Sequence, residues 1–429
     1  MSAPRSAYLH IPFCHRRCYY CDFAVVPLGD RVAAADGPGR ASIEAYLALL
    51  HEEIGLTPPG PPLATVYIGG GTPSLLTPAQ IAALLQRLAD RFGLQDGVEI
   101  TLEMDPASFD QDQLTAVLAA GVTRVSLGGQ SFDDAVLASL GRRHRRSDLL
   151  AACTWLTQAQ GRGQLLSWSL DLIRNLPGQT HAQWRHQLEQ ALGVEAPHLS
   201  IYDLSVEPGT VFAWRQRRGE LQLPEDEQAV ARMQETGARL HRAGFCRYEV
   251  SNYARPGHAS RHNRVYWSGA GWWGFGLGAT SAPWGRRLAR PRTREVYAAW
   301  LQEQRQAPDL SLLSVSALPL PLEDRLLVGL RRREGVDLWR LAAESGWDAA
   351  TRERHLPDLE RRWAAVQAQG LIERCGRRWR LSDPEGFALS NQVLVEVVCW
   401  WETLPAAVAQ PPSAAEPPPS GAGPESALG

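Results

Sequence analysis

The sequence predicts an α/β fold: an incomplete barrel of parallel strands, followed by a smaller helical domain carrying a wing. Three observations lead there. Short apolar runs, β-branched or alternating, recur through the first half of the 429-residue chain. Helical patterns stand between them. Near residue 290 the pattern changes to arginine-rich helices.

Taken in order, AYLHIPF (7–13), TVYIGGG (65–71), VEITLEM (98–104), RVSLGGQS (124–131), SWSLDLIRNLP (167–177) and HLSIYDLSV (198–206) read as strands. Several end in Gly or Pro, as strands do. Residues 27–41 (PLGDRVAAADGPGRA) read as a surface loop. A helix follows the second run, with Thr77 as N-cap and Pro78 at its first position. Another begins near Asp110 and stops at Gly121. Strands alternating with helices give a parallel sheet with right-handed crossovers. Six such units approach an eight-stranded barrel without completing it. Barrel chemistry gathers at the C-terminal ends of strands, where Cys14, Gly69 to Thr72, Glu103, Gln130 and Asp171 stand.

The barrel is expected over residues 1–285 and a helical, winged-helix-like domain over 286–402. Its helices are REVYAAWLQEQ, EDRLLVGLRRR, VDLWRLAAESG and LPDLERRWAAVQAQG, and GLIERCGRRWRLSDPEGF forms the wing. A wing invites a DNA-binding reading, but no wide basic field surrounds it, so a packing lid is preferred. Residues 403–429 are rich in Pro, Ala, Ser and Gly without apolar periodicity, and are expected to be disordered.

Charge narrows the function. All 44 basic residues are arginine, against 46 acidic ones, for a net charge of −2. A chain without lysine has no Schiff-base lysine and no lysine-bearing phosphate loop. Its balance argues against bulk nucleic-acid binding. The N-terminus lacks the charged and apolar regions of a signal peptide, and no uncharged apolar stretch is long enough to span a bilayer. A cytoplasmic protein is expected, with its seven cysteines as thiols or metal ligands.

Cys14, Cys18 and Cys21 form C-x3-C-x2-C directly after the first strand. Three thiolates on one loop suit one face of a [4Fe–4S] cluster and leave one iron open to an exchangeable ligand. The alternatives are a zinc site completed by His15, or three unrelated thiols.

YLHIPFCHRRCYYCDF resembles the cluster-binding opening of radical S-adenosylmethionine (SAM) proteins, in the branch of coproporphyrinogen dehydrogenases and heme chaperones. The resemblance extends through GGGTPS (69–74), LEMDP (102–106), RVSLGGQSF (124–132), LGRRH (140–144), DLIRNLPGQT (171–180), HLSIYDLSVEPGT (198–210), RHNRVYW (261–267) and GFGLGA (274–279). It implies an incomplete (β/α)6 barrel, a [4Fe–4S] cluster on Cys14, Cys18 and Cys21, and SAM on the open iron. It also implies SAM contacts at Tyr8, Tyr20, Gly70, Gly71, Thr72, Glu103, Gln130, Arg142 and Asp171. Read without the resemblance, GGGT is a tight turn, Glu103 could cap a helix, and GRRHRR is a solvated charge run. The chain departs from the family pattern at Asp105 (usually Asn), at Gly129 (usually Val) and at Arg174-Asn175. Arg174 could therefore favour an acidic ligand in the barrel.

Small features separate the two branches. The dehydrogenases carry a further cysteine where Phe23 stands, and a longer arm than the seven residues before Tyr8. His262, Asn263 and Tyr266 form an H-N-x-x-Y motif that the resemblance associates with heme binding. Imidazole and tyrosinate are both natural axial ligands of heme iron. A histidine in such an aromatic, glycine-rich region could equally bond only to a loop. Trp267, Trp272 and Trp273 could wall a flat macrocycle. GAGWWG (269–274) fits G-x-G-x-x-G literally but lacks the flanking strand and helix of a dinucleotide site. The leading reading is a heme chaperone that passes heme to an acceptor protein, with a flavodoxin- or ferredoxin-type reductant and peripheral contact with membrane acceptors left open. The alternatives are an oxygen-independent coproporphyrinogen III dehydrogenase and a zinc-containing winged-helix regulator.

Overall fold

The computed structural model describes residues 3–29, 37–283, 287–306 and 320–409. Six strands run parallel and in sequence order: β1 (Ser6–Ile11), β2 (Leu63–Gly70), β3 (Leu94–Met104), β4 (Arg124–Gln130), β5 (Ser167–Arg174) and β6 (His198–Asp203). Each is followed by a main helix: α1 (Pro38–Leu56), α2 (Pro78–Phe92), α3 (Gln111–Ala119), α4 (Arg146–Gly161), α5 (His181–Gly193) and α6 (Asp226–Arg242). Local sequence explains the helix starts. Thr77 caps α2 and Thr180 caps α5, each in a reciprocal capping box with the glutamine three residues on. Asp110 accepts from the Gln113 amide at the start of α3, and Gly121 leaves that helix at φ +111°.

Both edges of the sheet gain strands that local periodicity did not reveal. β7 (Cys246–Arg247) and β8 (Asn252–Ala254) pair antiparallel, and β8 flanks β6. After a helix, α7 (Arg261–Ser268), the strand β9 (Trp273–Phe275) lies parallel to β1 on its free side. The nine-stranded order is β9-β1-β2-β3-β4-β5-β6-β8-β7. The loop expected over 27–41 is shorter than it read. Val26–Pro27 pairs with Phe13–Cys14, and α1 already begins at Pro38, with Pro at its first turn. Residues 30–36 lie outside the described residues.

Helix α8 (Arg294–Gln306) was expected to open the C-terminal domain, but it belongs to the barrel. Tyr297 and Leu301 are part of the barrel core. The reason is a buried ionic knot: Glu53 on α1 accepts from Arg290 Nε at 2.6 Å, from Tyr297 Oη at 2.6 Å and from the Gly276 amide at 2.7 Å. A fully buried carboxylate needs such partners, and these tie α1, β9 and α8 together. The second core starts at Leu322, with α9 (Leu322–Gly329), α10 (Leu338–Glu344), α11 (Ala349–Ala368) and α12 (Ser390–Glu402) around Trp363 and Trp400. The wing hairpin, β11 (Ile372–Cys375) and β12 (Arg378–Leu381), gains a third strand in β10 (Val336–Asp337). Of the expected disordered tail, Ala406–Ala409 forms a short helix and residues 410–429 lie outside the described residues.

Candidate functional site

A cavity of about 400 Å³ opens at the C-terminal ends of the barrel strands. Cys14, Cys18 and Cys21 all line it. The cysteine loop is pinned at both ends: the Leu28 amide donates to Cys14 O at 2.8 Å and the Tyr19 amide to Leu140 O at 3.0 Å. Arg16 adds a clamp across the mouth, donating to Gly141 O and Arg142 O at 2.7 Å each. Burial pushes the Cys14 thiol up to about 12 and raises Cys21 as well. Among the described residues no three of His, Cys, Asp and Glu gather closely enough to hold a single metal ion. His15 lines the same cavity, with Nδ1 3.3 Å from Gly29 O.

The strand ends supply the rest. Gly70 adopts φ +118°, and its amide donates to Glu103 Oε2 at 2.9 Å. A Cβ on Gly71 would lie 2.8 Å from Cys14 Sγ and 2.6 Å from Phe13 O, so only glycine lets the backbone pass beside the thiol. Tyr67 Oη donates to Glu103 Oε1 at 2.8 Å. Burial pushes the Glu103 carboxyl up to about 7, against the pull of these two donors. Burial likewise pushes Asp171 up to about 6, although the Ser200 and Ser126 hydroxyls oppose it. Asp171 Oδ1 is buried without a hydrogen-bond partner. Two under-compensated carboxyls in one cavity call for a cationic ligand.

Arg142 crosses the opposite wall. It donates to Asp105 Oδ2 and Gly128 O at 2.7 Å each, and Nη1 stands 3.8 Å from Cys18 Sγ. Burial works to raise Asp105, but the Arg142 guanidinium, His144 and the Ala107 amide together outweigh it and hold that carboxyl well below the usual range. Asp105 thus has a physical role as the partner of the half-buried Arg142. Gln130 lines the same cavity at φ +64°, a left-handed conformation in a non-glycine residue at the end of β4. Tyr20 and Thr72 also line the cavity. Gly129 is explained by volume: a Cβ there would lie 2.6 Å from Leu170 Cδ1, so Leu170 fills the space a larger residue would take.

Three expectations change. Arg174 is unavailable to an acidic ligand, because it is buried and bound bidentately to Asp203 at 2.7 and 3.0 Å. Tyr8 does not line the cysteine cavity. It pairs with His10 Nδ1 at 2.9 Å and lines a small adjoining cavity with Tyr266 and Trp272. Trp273 is core, 1% exposed, so only Trp267 and Trp272 line a cavity.

His262 and Tyr266 sit one turn apart on one face of α7. His262 is 0% exposed, with Nε2 2.8 Å from Tyr266 Oη and Nδ1 2.8 Å from Thr65 Oγ1. Thr65 donates onward to Ser6 Oγ at 2.9 Å. One consistent assignment has Tyr266 donating to Nε2 and Nδ1–H donating to Thr65. Burial alone drops the imidazole to about 3. The ring is saturated and lines neither of the two cavities that Tyr266 reaches. Asn263 packs behind them, its amide bonded to the Ser260 cap at 3.2 Å. Sequence reasoning missed Tyr67, Ser126, Tyr202 and Asp203 in the cysteine cavity. The available signal was strand alternation, which puts Tyr67 on the face of Gly69.

Residues 8–191 match the family model of the radical SAM superfamily. The chain is 39% identical to a protein named heme chaperone HemW from Synechocystis sp., over 91% of this chain and 95% of that one. It is 34% identical to the mitochondrial radical S-adenosyl methionine domain-containing protein 1 of Bos taurus, over 94% of this chain and 90% of that one. In structure it resembles the coproporphyrinogen III oxidase HemN of Escherichia coli, with TM-score 0.72 at 22% identity, over 92% and 90% of the two chains.

Proposed function

This chain belongs to the HemW family of radical SAM proteins, and from that premise we propose that it is a heme chaperone. It binds heme and hands it to an acceptor protein, with a [4Fe–4S] cluster and SAM held in the barrel mouth. The observation that carries the reading is near-complete coverage, at 39% identity, of a relative bearing that name.

The residues present fit the implied groups. Cys14, Cys18 and Cys21 would hold the cluster, and Arg142 stands where its guanidinium donates toward the Cys18 sulfur. SAM carries an ammonium and a sulfonium. Glu103 and the orphaned Asp171 oxygen supply the missing counter-charge, and Gly71 leaves room beside Cys14. Bound together, cluster and SAM supply one-electron chemistry. The barrel orients the cofactor and excludes water around it. Arg16, Arg17 and Arg143 at the mouth suit an acidic reductant of the flavodoxin or ferredoxin kind. Heme is placed at α7, with Tyr266 toward the ligand and His262 behind it, fixing the phenol. The proposed site of action is the cytoplasm. No described helix is long and apolar enough to cross a membrane, and contact with membrane-bound acceptors would be peripheral.

Anaerobic reconstitution followed by parallel assays tests this. Stoichiometric iron and sulfide, hemin binding and no turnover of coproporphyrinogen III are expected. Protoporphyrinogen formation with consumption of SAM would replace the chaperone with an oxidase. Zinc without iron and sulfide would favour the regulator instead.

A further inference from the structure

Beyond α7 a second cavity, of about 440 Å³, lies between the barrel wall and the C-terminal domain. Its size falls within the range of small-molecule sites, roughly 300–1,000 Å³. The barrel contributes an aromatic side: Tyr266, Trp267 and Trp272, the first and last meeting edge to face at 4.7 Å. The C-terminal domain contributes Arg325, Arg332, Arg340 and Arg378, and Arg287 adds a fifth cation from the barrel side. Three carboxylates line the same walls: Asp324, Asp337 and Glu344. Glu344 is shared, 3.1 Å from Arg325 and 2.8 Å from Arg340. The lining thus carries two more cations than anions. Arg340 and Arg287 stand at the rim, with side chains 74% and 51% exposed, while Arg325 and Arg332 lie deeper at 13% and 22%.

An aromatic wall facing an arginine wall suits a flat, apolar ligand with a carboxylate-bearing edge. We propose that this cleft is the heme seat, with the macrocycle against Tyr266 and Trp272 and the two propionates on the rim arginines, Arg287 from the barrel side and Arg340 from the C-terminal domain. The domain that carries the wing then completes the ligand site, and its Arg340 reads a carboxylate rather than a nucleic-acid phosphate. The inference rests on the heme reading above and deepens it: heme binding at α7 alone would need no C-terminal arginine. Bidentate guanidinium–carboxylate bonds supply the affinity, and the macrocycle supplies the apolar burial.

The test is equilibrium titration of the full-length, cluster-loaded protein with hemin, with hemin dimethyl ester and with ATP. It is run on wild type and on the double variant Arg287→Gln/Arg340→Gln. Both changes are at exposed positions, and an unchanged iron content and thermal midpoint check the fold. Wild type should bind hemin at least about tenfold more tightly than the ester, because the ester cannot form charge-assisted bonds. The double variant should lose roughly tenfold or more of its hemin affinity and little of its ester affinity. Equal binding of hemin by variant and wild type, or of ester and hemin by wild type, would place heme elsewhere and leave the chaperone reading intact. Tighter binding of ATP than of hemin would give the cleft to a nucleotide. Failure of wild type to bind hemin at all would overturn the chaperone reading itself.

Discussion

The barrel mouth and helix α7 hold comparable inventories of polar side chains in opposite states. At the mouth, Asp171 Oδ1 is buried without a partner and Glu103 is pushed up to about 7. At α7, both nitrogens of His262 are paired and the ring is closed off from every cavity that Tyr266 reaches. A polar group left wanting in a folded chain marks a place for a ligand, because its desolvation must be repaid from outside. A polar group whose bonds are complete marks architecture. The motif letters do not distinguish the two cases, since histidine in H-N-x-x-Y and aspartate in DLIRNLP are equally suggestive on paper.

The sharpest way to break this contrast is at the cysteines. Cys14→Ala should abolish cluster loading, read as iron and sulfide after anaerobic reconstitution. Retention of a full complement would remove the cluster from this loop.

Next in size, His262→Ala should destabilise the fold by about 2–4 kcal/mol in denaturant unfolding, because it empties a buried site and strands Thr65 and Tyr266. Asp171→Asn should leave the ligand-free protein unchanged or more stable, since it removes a poorly compensated charge, while weakening SAM about tenfold. Equal losses of stability at both positions would erase the distinction.

Acidity separates the regions further. The folded His262 sits at about 3 against an ordinary 6.5. Its stabilising contribution is present above pH 6.5 and is lost as pH falls, because only the unfolded chain takes up the proton. About 2 kcal/mol should be gone by pH 5, and His262→Gln should flatten that slope. The carboxyls behave oppositely. Glu103 at about 7 and Asp171 at about 6 favour the ligand-free fold while protonated, and that contribution fades as pH rises through those values. SAM affinity should therefore climb roughly tenfold between pH 6 and 8. The smallest effect is Tyr266→Phe, about 1 kcal/mol of stability from one lost hydrogen bond.

What could be read in advance followed the range of the interactions. The six parallel strands, the capped helices at Thr77 and Asp110, and the cysteine loop declare themselves within a few residues. The wing did too, apart from its third strand. Features set by distant partners stayed hidden. Helix α8 looked like the start of a new domain until Glu53, far earlier in the chain, claimed Arg290 and Tyr297. Arg174 looked like a ligand-binding cation, but Asp203 from the next strand occupies it. Tyr8 follows the register of β1 away from the cysteine cavity. Residue type and spacing announced that a carboxyl or an imidazole was there; only packing determined which was complete.

The position of β9 bears on how the chain is made. Ala7, Tyr8 and Leu9 on β1 pair with Trp273, Gly274 and Phe275. During synthesis the outer edge of the first strand therefore waits, its backbone donors and acceptors open, until well over half of the polypeptide has emerged. An open parallel edge is a template for the wrong neighbour. The span from 8 to 191 that carries the superfamily signature contains the cysteine loop and both carboxyls of the mouth, but it ends before the strand that covers the outer edge of β1. Expressed alone, it would present that edge permanently and aggregate, whereas fragments extending past Phe275 would bury it.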